Sequence, residues 1–580
     1  MKKVFLILIT IFSLTFSWAQ SEITVKELQE WIYYLASDDK KGRLPCSPQT
    51  KAIAQRLRDE YKRHGLELLF DNGFQYFEIT GGIKFSEDNY LKIGRQTFVL
   101  DKDYKVYPFS DTGQFFTKEL VFVGYGLDIR HGDTILWNDY KDVDVKGKWV
   151  IIFRGVPQKT KLKKDLQKKY ASERKKVSIA KDYGARGVIF VNPFSQTDKL
   201  IHYAIPRVLA KESLPVIHVK RNVINKLIPK NKKSVFTSAS SSFVIKQKVS
   251  LSIHYDIVKC KTQNVVALLR GSDPRLSGRY IVIGAHYDHL GMGGFASGSR
   301  MPDTMAIHNG ADDNASGTAG VIELMEYFVS VKDSLGRSII FVNFSAEEQG
   351  LLGSKYFVNH LPVPKDSIDL MINFDMIGKA KNGASFLGLG SAKQLKAIFN
   401  QVSYDSTILK VKPYDKVFGG SDHAPFIDVG IPAIFVYASS GEGYHTPFDD
   451  ADKINYYEQV NILNFVASFV IKVSNFEQHL EFVKQKEQKK DGYKNSMKVQ
   501  LGIRPAFDYD GKGLKVDAVI DGGIADKTGI ETGDIIIQIG KKKVDNIYDY
   551  MNALSKIKPG DKVKITVLRN KQKLDLLAQF

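Results

Sequence analysis

Carboxylate and imidazole side chains recur directly after apolar runs that are typical of buried strands. The adjacent acids Glu347 and Glu348 follow "SIIFVNFSA". An isolated pair of this kind is typical of a loop with two solvated acids, but further polar groups follow other strands of this chain. His286 and Asp288 stand at the end of "IVIGAHYD", and Asp375 stands at the end of "MINFD". Functional groups in open α/β sheets gather at the carboxyl ends of the strands. We therefore expect these side chains to lie together at one end of one sheet.

Two further polar groups stand in turns. "NGADDNASG" places Asp312 and Asp313 just before a helix, and "GEGYHTPFDD" contains His445. Imidazole and carboxylate ligands together suit zinc, and this mixed set is large enough for two ions. Two metals about 3.5–4 Å apart polarise a carbonyl and activate a water between them. Such a pair needs a bridging carboxylate and a separate base, so one of Glu347 and Glu348 should bind metal while the other moves the proton.

These motifs, in this order along the chain, resemble those of the secreted co-catalytic zinc aminopeptidases. The same family contains glutamate carboxypeptidase and the non-enzymatic transferrin receptor. The resemblance covers the first helices and most of 256–475, and it implies two Zn²⁺ ions per chain, although cobalt and manganese accept similar ligands. By this resemblance the ligands are His286 and Asp375 for one ion, Glu348 and His445 for the other, and Asp313 as the bridge.

The resemblance also implies roles for residues that bind no metal. Glu347 would be the general base, and Asp288, two positions after His286, would orient the imidazole of that ligand. Tyr444 is the candidate for stabilising the oxyanion, and the alternative is a tyrosine that only packs beside His445.

Several other polar residues stand close to these motifs. Ser421, Asp422 and His423 in "GGSDHAPF" resemble a loop near the site of this family, and we expect them to line the pocket. His289 and His308 match no ligand position and are interpreted as polar neighbours.

The pattern around the motifs predicts the fold class. Continuous apolar strands alternate with helices across 256–477, which indicates an α/β domain with a mostly parallel mixed sheet flanked by helices. The resemblance makes this a zinc-exopeptidase fold, and the amphipathic helices of 20–110 are expected to complete it.

Two smaller modules and a linker account for the remaining chain. Short apolar runs broken by glycine in 111–255 resemble a β-rich protease-associated (PA) domain, which in relatives borders the active-site cleft. A Lys-rich linker at 478–497 leads to 498–580, which resembles a PDZ domain with "LGI" (501–503) as its carboxylate-binding loop. PDZ domains bind an extended peptide as an added strand. The alternative is a module that only packs on the rest of the chain or mediates self-association.

The first residues and the composition indicate where the protein acts. Residues 1–19 have a basic start, an apolar stretch and a small-residue cleavage site, which is typical of a secretory signal peptide. We therefore expect export to the periplasm or outside the cell, with an uncleaved anchor as the alternative. Cys46 and Cys260 could form one disulfide or remain two buried thiols. The net charge of +19 arises largely from Lys-rich stretches mixed with acids, so we expect no nucleic-acid binding. No segment after the first twenty residues reads as transmembrane, so we expect no stable membrane insertion.

The predicted function is an exported di-zinc metallo-exopeptidase that removes N-terminal residues from peptides, with a metal-bridged hydroxide as nucleophile. A glutamate carboxypeptidase-like activity is the first alternative, and it would need basic residues in the pocket. A glutaminyl cyclase activity is disfavoured, because that relative resembles a smaller chain with a single zinc and no attached PDZ-like domain. A non-catalytic peptide-binding scaffold is the alternative from another class. The preferred terminal residue and the oligomeric state are not determined by the sequence.

Overall fold

The computed structural model describes residues 22–580 with gaps at 132–133, 158–161, 163–166, 168–169, 203–213, 240, 296, 381–382, 417–419, 440, 484–498, 506–511, 520–522, 545–548, 551–552 and 555. The predicted signal peptide, 1–19, and most of the predicted linker, 478–497, lie outside the described residues. Within the described part of the chain, no helix is long and apolar enough to cross a membrane.

A nine-stranded mixed sheet forms the centre of the largest domain, here called the central domain. Its inner strands are parallel: Ser338–Phe344 and Ile368–Phe374 flank Tyr280–His286, and Ala433–Tyr437 pairs with Ile368–Phe374. Every residue of Tyr280–His286, Ser338–Phe344 and Ile368–Phe374 is buried, because helices cover both faces of the sheet. The predicted α/β class with a mixed sheet is confirmed. The other strands are Glu67–Leu68, Phe74–Phe85, Tyr255–Leu269, Ala384–Leu387 and Val411–Tyr414.

Successive residues of the inner strands enter two different hydrophobic cores. Ile281 and Ile283 pack in a core with residues of the N-terminal helices such as Leu28, whereas Val282 packs with Phe357 on the other face. This alternation follows from the two-residue period of a strand. The α-helices of the domain are Val25–Leu35, Pro48–Arg63, Gly317–Ser330, Leu352–Asn359, Leu395–Phe399, Ala424–Asp428 and Tyr456–Ser474. Short 3₁₀ or π segments are Asp38–Arg43, Ala311–Ser316, Lys332–Ser334, Lys365–Ser367, Leu389–Ser391 and Ala451–Lys453.

The β-rich insert contains a six-stranded sheet, a four-stranded sheet and a separate hairpin. Two strands before residue 111, the predicted start of the insert, pair with strands of these sheets. Tyr90–Ile93 pairs with Val249–Ile253, and Tyr104–Val106 pairs with Val216–Val219. These partners lie far along the chain, so no local pattern reveals these pairings.

The elements of the insert are mostly short. Its strands are Tyr90–Ile93, Gln96–Phe98, Tyr104–Val106, Gly113–Thr117, Leu120–Phe122, Asp128–His131, Thr134–Asn138, Trp149–Phe153, Gly187–Val191, Val216–Val219, Phe243–Ile245 and Val249–Ile253. The helices that can be described are Glu173–Asp182, Arg221–Asn225 and Lys233–Ser238, with a 3₁₀ turn at Lys230–Lys232.

The C-terminal module has its own sheet and its own core. Its strands among the described residues are Ile503–Pro505, Leu514–Val519, Ile535–Ile539, Lys542–Lys543, Lys562–Arg569 and Gln572–Gln579, and one helix is Ile524–Thr528. Lys175 of the insert and Asp526 of this module form an ion pair at 2.8 Å, and both side chains are buried. The module therefore packs on the insert.

A disulfide joins Cys46 to Cys260, which decides a question that the sequence left open. Cys46 follows the Asp38–Arg43 segment, and Cys260 lies in the strand Tyr255–Leu269. The bridge therefore ties the N-terminal part of the central domain to the sheet. A disulfide also agrees with the predicted exported location.

Replacing both Cys46 and Cys260 by serine should lower the unfolding temperature of the central domain. The bridge spans 214 residues of sequence and restricts the unfolded chain, so we expect its loss to destabilise by about 2–4 kcal/mol. Differential scanning calorimetry measures the shift. As a control, reductant should bring the wild-type transition to that of the variant and leave the variant unchanged. Equal unfolding temperatures of variant and wild type would contradict the expectation.

Candidate metal centre

Parallel pairing brings the predicted site residues to one end of the central sheet. His286 ends its strand opposite Phe344, so the acids Glu347 and Glu348 emerge beside it. Asp375 directly follows the neighbouring strand Ile368–Phe374. The carboxyl ends of these three strands therefore share one site, as the sequence predicted.

Two groups of possible ligands meet at Asp313. In the first group, His286 Nε2 lies 3.5 Å from Asp313 Oδ1 and 3.4 Å from Asp375 Oδ1. In the second group, His445 Nε2 lies 3.1 Å from both Asp313 Oδ2 and Glu348 Oε1. The two oxygens of Asp313 thus face different groups, which is the arrangement that a bridging carboxylate requires.

The donor atoms of the first group fit a cation. His286 Nε2 and Asp375 Oδ1 are buried and make no hydrogen bond with each other or with any other described atom, although they lie 3.4 Å apart. Buried polar atoms without a partner are costly, and a divalent cation contacting both would remove the cost. Burial, with the nearby Glu348 carboxylate, also raises the pKa of Asp313 to about 7. Imidazole nitrogens and carboxylate oxygens are the donor set that zinc accepts.

His289 belongs to the site more closely than the sequence indicated. Its Nδ1 lies 3.0 Å from Glu348 Oε1 and 3.9 Å from Asp313 Oδ2, so it also offers a ligand atom to the second group. Its spacing from His286, three residues in "HYDH", was the available signal. His308 instead contacts Ser299 Oγ through Nε2 at 2.8 Å and supports a neighbouring loop.

Glu347 and Asp288 lie beside the ligand groups. Glu347 Oε2 is 3.8 Å from His286 Nε2, and the Glu347 side chain is more exposed than that of Glu348. Burial raises the pKa of Glu347 well above its usual range. The Asp288 carboxylate accepts hydrogen bonds from the amides of Glu347 and Glu348, at 3.1 and 3.4 Å. His286 Nδ1 is nearer to the Asp288 carbonyl oxygen, at 3.2 Å, than to its carboxylate, at 3.8 Å. The Asp288 carboxylate is therefore in closer contact with the backbone of Glu347 and Glu348 than with the imidazole of His286.

Tyr444 covers the second group. Its ring stacks on the imidazole of His445 with centroids 3.8 Å apart. Burial, with the carboxylates of Asp313 and Glu348 close by, raises the pKa of the Tyr444 phenol well above its usual range. The hydroxyl therefore keeps its proton and remains a hydrogen-bond donor.

Asp449 holds the turn that carries Asp313, and the sequence did not single it out. Its carboxylate accepts hydrogen bonds from the amides of Asp312, at 3.1 Å, and Asp313, at 3.0 Å. Lys379 forms an ion pair with the same carboxylate, and both partners are buried. The position four residues after His445 in "HTPFD" was the signal for this residue.

Arg43 supports the same turn through carbonyl groups. The guanidinium is fully buried and donates to the carbonyls of Tyr287, at 2.9 Å, and Gly310, at 2.8 Å, among others. The Arg43 carbonyl accepts from the amide of His289 at 3.1 Å. Gly42 is required here because a Cβ would lie 2.3 Å from the carbonyl oxygen of Gly291. The N-terminal segment is therefore part of the support of the site.

Of the residues predicted to line the pocket, Ser421 contacts a ligand candidate. Its hydroxyl donates to Asp375 Oδ2 at 2.7 Å and accepts from Asn373 Nδ2 at 2.8 Å. Asp422 is fully buried, and burial raises its pKa to about 7. The His423 ring stacks on Phe435 at 4.7 Å.

The structure thus defines a class of protein, in which a mixed α/β sheet carries paired histidine–carboxylate groups at the ends of its parallel strands. Comparison with family models specifies the class further. Residues 264–470 match peptidase family M28, 116–227 match the PA domain and 492–578 match the PDZ domain. The chain thus combines a segment similar to peptidase family M28 with segments similar to the PA domain and the PDZ domain.

Curated relatives resemble parts of the chain. Aminopeptidase YwaD of Bacillus subtilis is 30% identical over 168 residues, which is 26% of this chain and 35% of that protein. A probable leucine aminopeptidase of Arthroderma otae is 26% identical over 224 residues, which is 37% of this chain and 59% of that protein. The matches thus span less than two thirds of the length of these relatives.

Solved structures include a zinc aminopeptidase, BSAP, from Bacillus subtilis. It is 19% identical, covers 80% of this chain and 97% of its own, and has a TM-score of 0.48. An aminopeptidase from Aneurinibacillus sp. strain AM-1 is 22% identical, covers 80% and 97%, and has a TM-score of 0.45.

Changing Asp449 to Asn should weaken metal binding without unfolding the chain. The variant loses the charge that holds the amides of Asp312 and Asp313, and losses of such supporting contacts reduce metal affinity by about 10–100-fold. Zinc affinity is measured by competition with a chromophoric chelator. Asp450→Asn is the matched control, since Asp450 contacts Lys453 and Asn309 instead. Equal zinc affinity in the two variants would contradict the positioning role.

Proposed function

We propose that the protein is an exported di-zinc aminopeptidase. The observation that carries the proposal is Asp313, whose two carboxylate oxygens face two separate ligand groups. Glu347 lies beside these groups with its carboxylate at 3.8 Å from the nearest imidazole nitrogen. The aminopeptidase names of the relatives support the same activity.

The ligands would be divided between the two ions. His286 and Asp375 would hold one ion, Glu348 and His445 would hold the other, and Asp313 would serve both. His289 is a second imidazole within reach of the Glu348 side. Zinc bound in this way polarises the scissile carbonyl and lowers the pKa of a bound water.

The side chains of the chain perform the remaining steps. Glu347 Oε2 accepts the proton of the attacking water and returns it to the leaving amine. Glu347 suits this role because it is not assigned as a ligand and its side chain is more exposed than that of Asp288, which is occupied by backbone amides. Asp288 keeps Glu347 in place through its backbone amide. The Tyr444 hydroxyl donates a hydrogen bond to the developing oxyanion.

The PDZ domain would bind the carboxyl terminus of an extended peptide at the 501–503 loop. The Leu501 carbonyl accepts a hydrogen bond from the amide of Ala525 at 2.6 Å, which links this loop to the helix Ile524–Thr528. The adjacent Asp526 pairs with Lys175 of the insert. Peptide binding would therefore occur in a domain that also packs on the PA domain.

Export follows from residues 1–19 as a cleaved signal peptide, with the periplasm or the cell exterior as destination. The Cys46–Cys260 disulfide supports an oxidising location. N-terminal sequencing of the mature protein, with Gln20 expected first, tests the cleavage site.

Glu347→Gln should lower kcat by about 10²–10⁴-fold while the zinc content stays at two per chain, because the variant loses only the proton acceptor. The neighbouring variant Glu348→Gln should instead lose zinc, since it removes a ligand charge. Steady-state kinetics and elemental analysis on the same samples separate the two effects. Normal turnover of Glu347→Gln would exclude it as the base.

Leucine p-nitroanilide should be hydrolysed, and an N-acetylated dipeptide should not, because an aminopeptidase requires the free amine. Chelation should abolish the hydrolysis, and added zinc should restore it. Preference for the N-blocked peptide would indicate a carboxypeptidase. Absence of both zinc and hydrolysis would indicate the peptide-binding scaffold.

A further inference from the structure

The loop of residues 291–308 connects the strand of His286 to the turn of Asp313 and contacts His445 twice. The amide of Arg300 donates to the His445 carbonyl at 2.9 Å, and His445 Nδ1 contacts the Gly298 carbonyl at 3.0 Å. This part of the loop is therefore fastened to a predicted metal ligand through its backbone.

The Arg300 side chain lies on the aromatic stack of the site. Its guanidinium carbon is 4.6 Å from the centroid of the Tyr444 ring, and that ring is 3.8 Å from the imidazole of His445. Arginine stacks favourably on aromatic faces, which limits the orientations of the guanidinium. The Arg300 guanidinium, the Tyr444 ring and the His445 imidazole thus form one stack, with the Tyr444 ring in the middle.

The backbone on both sides of Arg300 is also held. The Ser299 hydroxyl accepts a hydrogen bond from the amide of Met301 at 3.0 Å, and it contacts His308 Nε2 at 2.8 Å. Arg300 is therefore a cation in a defined place rather than a freely moving surface residue.

No described residue forms an ion pair with Arg300. The residue is exposed. Asp313 and Glu348 are buried and lie 3.1 Å from His445 Nε2. A guanidinium with a fixed plane and unused donors is complementary to a carboxylate, which it binds through two parallel hydrogen bonds.

We propose that Arg300 is a specificity-determining residue that binds a carboxylate of the substrate. This proposal rests on the proposed peptidase function. One residue of an extended peptide spans about 3.5 Å. The Arg300 guanidinium is separated from the predicted ligand His445 by the ring of Tyr444, so it can reach a substrate carboxylate that lies one or two residues from the scissile bond. The preferred substrates are then short peptides with a free carboxyl terminus, or peptides with Asp or Glu beside the cleaved bond. Both kinds of substrate offer a carboxylate to Arg300, and the experiment distinguishes a terminal carboxylate from a side-chain carboxylate.

Two substrate pairs, each differing in one charge, test the proposal. Leu-Ala against Leu-Ala-amide reports the terminal carboxylate, and Leu-Glu-amide against Leu-Gln-amide reports the side-chain carboxylate. In at least one pair the wild type should show a kcat/KM higher for the charged member by about tenfold to a hundredfold, the range expected for a charge-assisted hydrogen bond.

Arg300→Met should reduce that ratio to near one, and Arg300→Lys should retain part of it, since lysine keeps the charge without the paired geometry. Arg270→Met is the matched control. Arg270 is exposed, pairs with Glu67, and lies at the opposite end of the sheet, so its loss should leave the ratio unchanged.

Binding without turnover gives a second readout. In the Glu347→Gln background, calorimetric titration with the charged and uncharged members of each pair should show the same preference, and adding Arg300→Met should remove it. Zinc content and circular dichroism establish that each variant is folded and loaded.

The possible results separate this proposal from the function on which it rests. Hydrolysis of the peptides without a preference for the charged members would overturn the role of Arg300 and leave the peptidase function intact. An equal loss for charged and uncharged substrates in Arg300→Met would also overturn it, since the arginine would then only support Tyr444. If no peptide is hydrolysed or bound, the proposed function itself fails.

Discussion

Repulsion among buried carboxylates is the constraint on which the site depends. Asp313 and Glu348 are enclosed beside Glu347 and Asp375, and burial together with the neighbouring acids raises the pKa of Asp313 to about 7. A core that contained these acids alone would favour their protonation. Divalent cations between the acids reverse this preference, because an ion is the largest local charge in such a site. The acids and histidines are thus best understood as one cation-binding unit.

The protein supports this unit mainly through the backbone of the turn around Asp313. Asp449 satisfies amide groups of the turn, and Arg43 satisfies carbonyl groups close to it. Both side chains are buried, and Asp449 is itself paired with Lys379. The Asp449 carboxylate thus binds the N–H groups of the turn, and the Arg43 guanidinium binds its carbonyl groups. These contacts hold the shape of the turn independently of the carboxylates that are predicted to bind metal. The disulfide at Cys46, close to Arg43, adds a covalent tie to the same support.

The PA domain and the metal centre share the 291–308 loop. Phe295 of this loop packs on Tyr107 and Phe109 of the insert, and Asp303 forms an ion pair with Arg154. A few residues away, Gly298 and Arg300 contact His445. The insert therefore borders the site through a segment that also contacts a predicted ligand. The PDZ domain joins the same assembly through Lys175, which lies on the helix that carries Glu173, a partner of Arg154.

The sequence by itself predicted the α/β class, the PA and PDZ modules and the cluster of His286, Asp313, Glu348, Asp375 and His445. These features are local: strand runs, turn glycines and ligand motifs each occupy a few neighbouring residues. Only the tertiary structure decided that Cys46 pairs with Cys260, that strands before residue 111 pair with strands of the insert, and that His289 faces Glu348. It also revealed Asp449, Arg43 and the stacking of Arg300 on Tyr444. The physical reason is that these contacts join residues far apart in the chain, or depend on side-chain direction, and neither leaves a periodic pattern in the sequence.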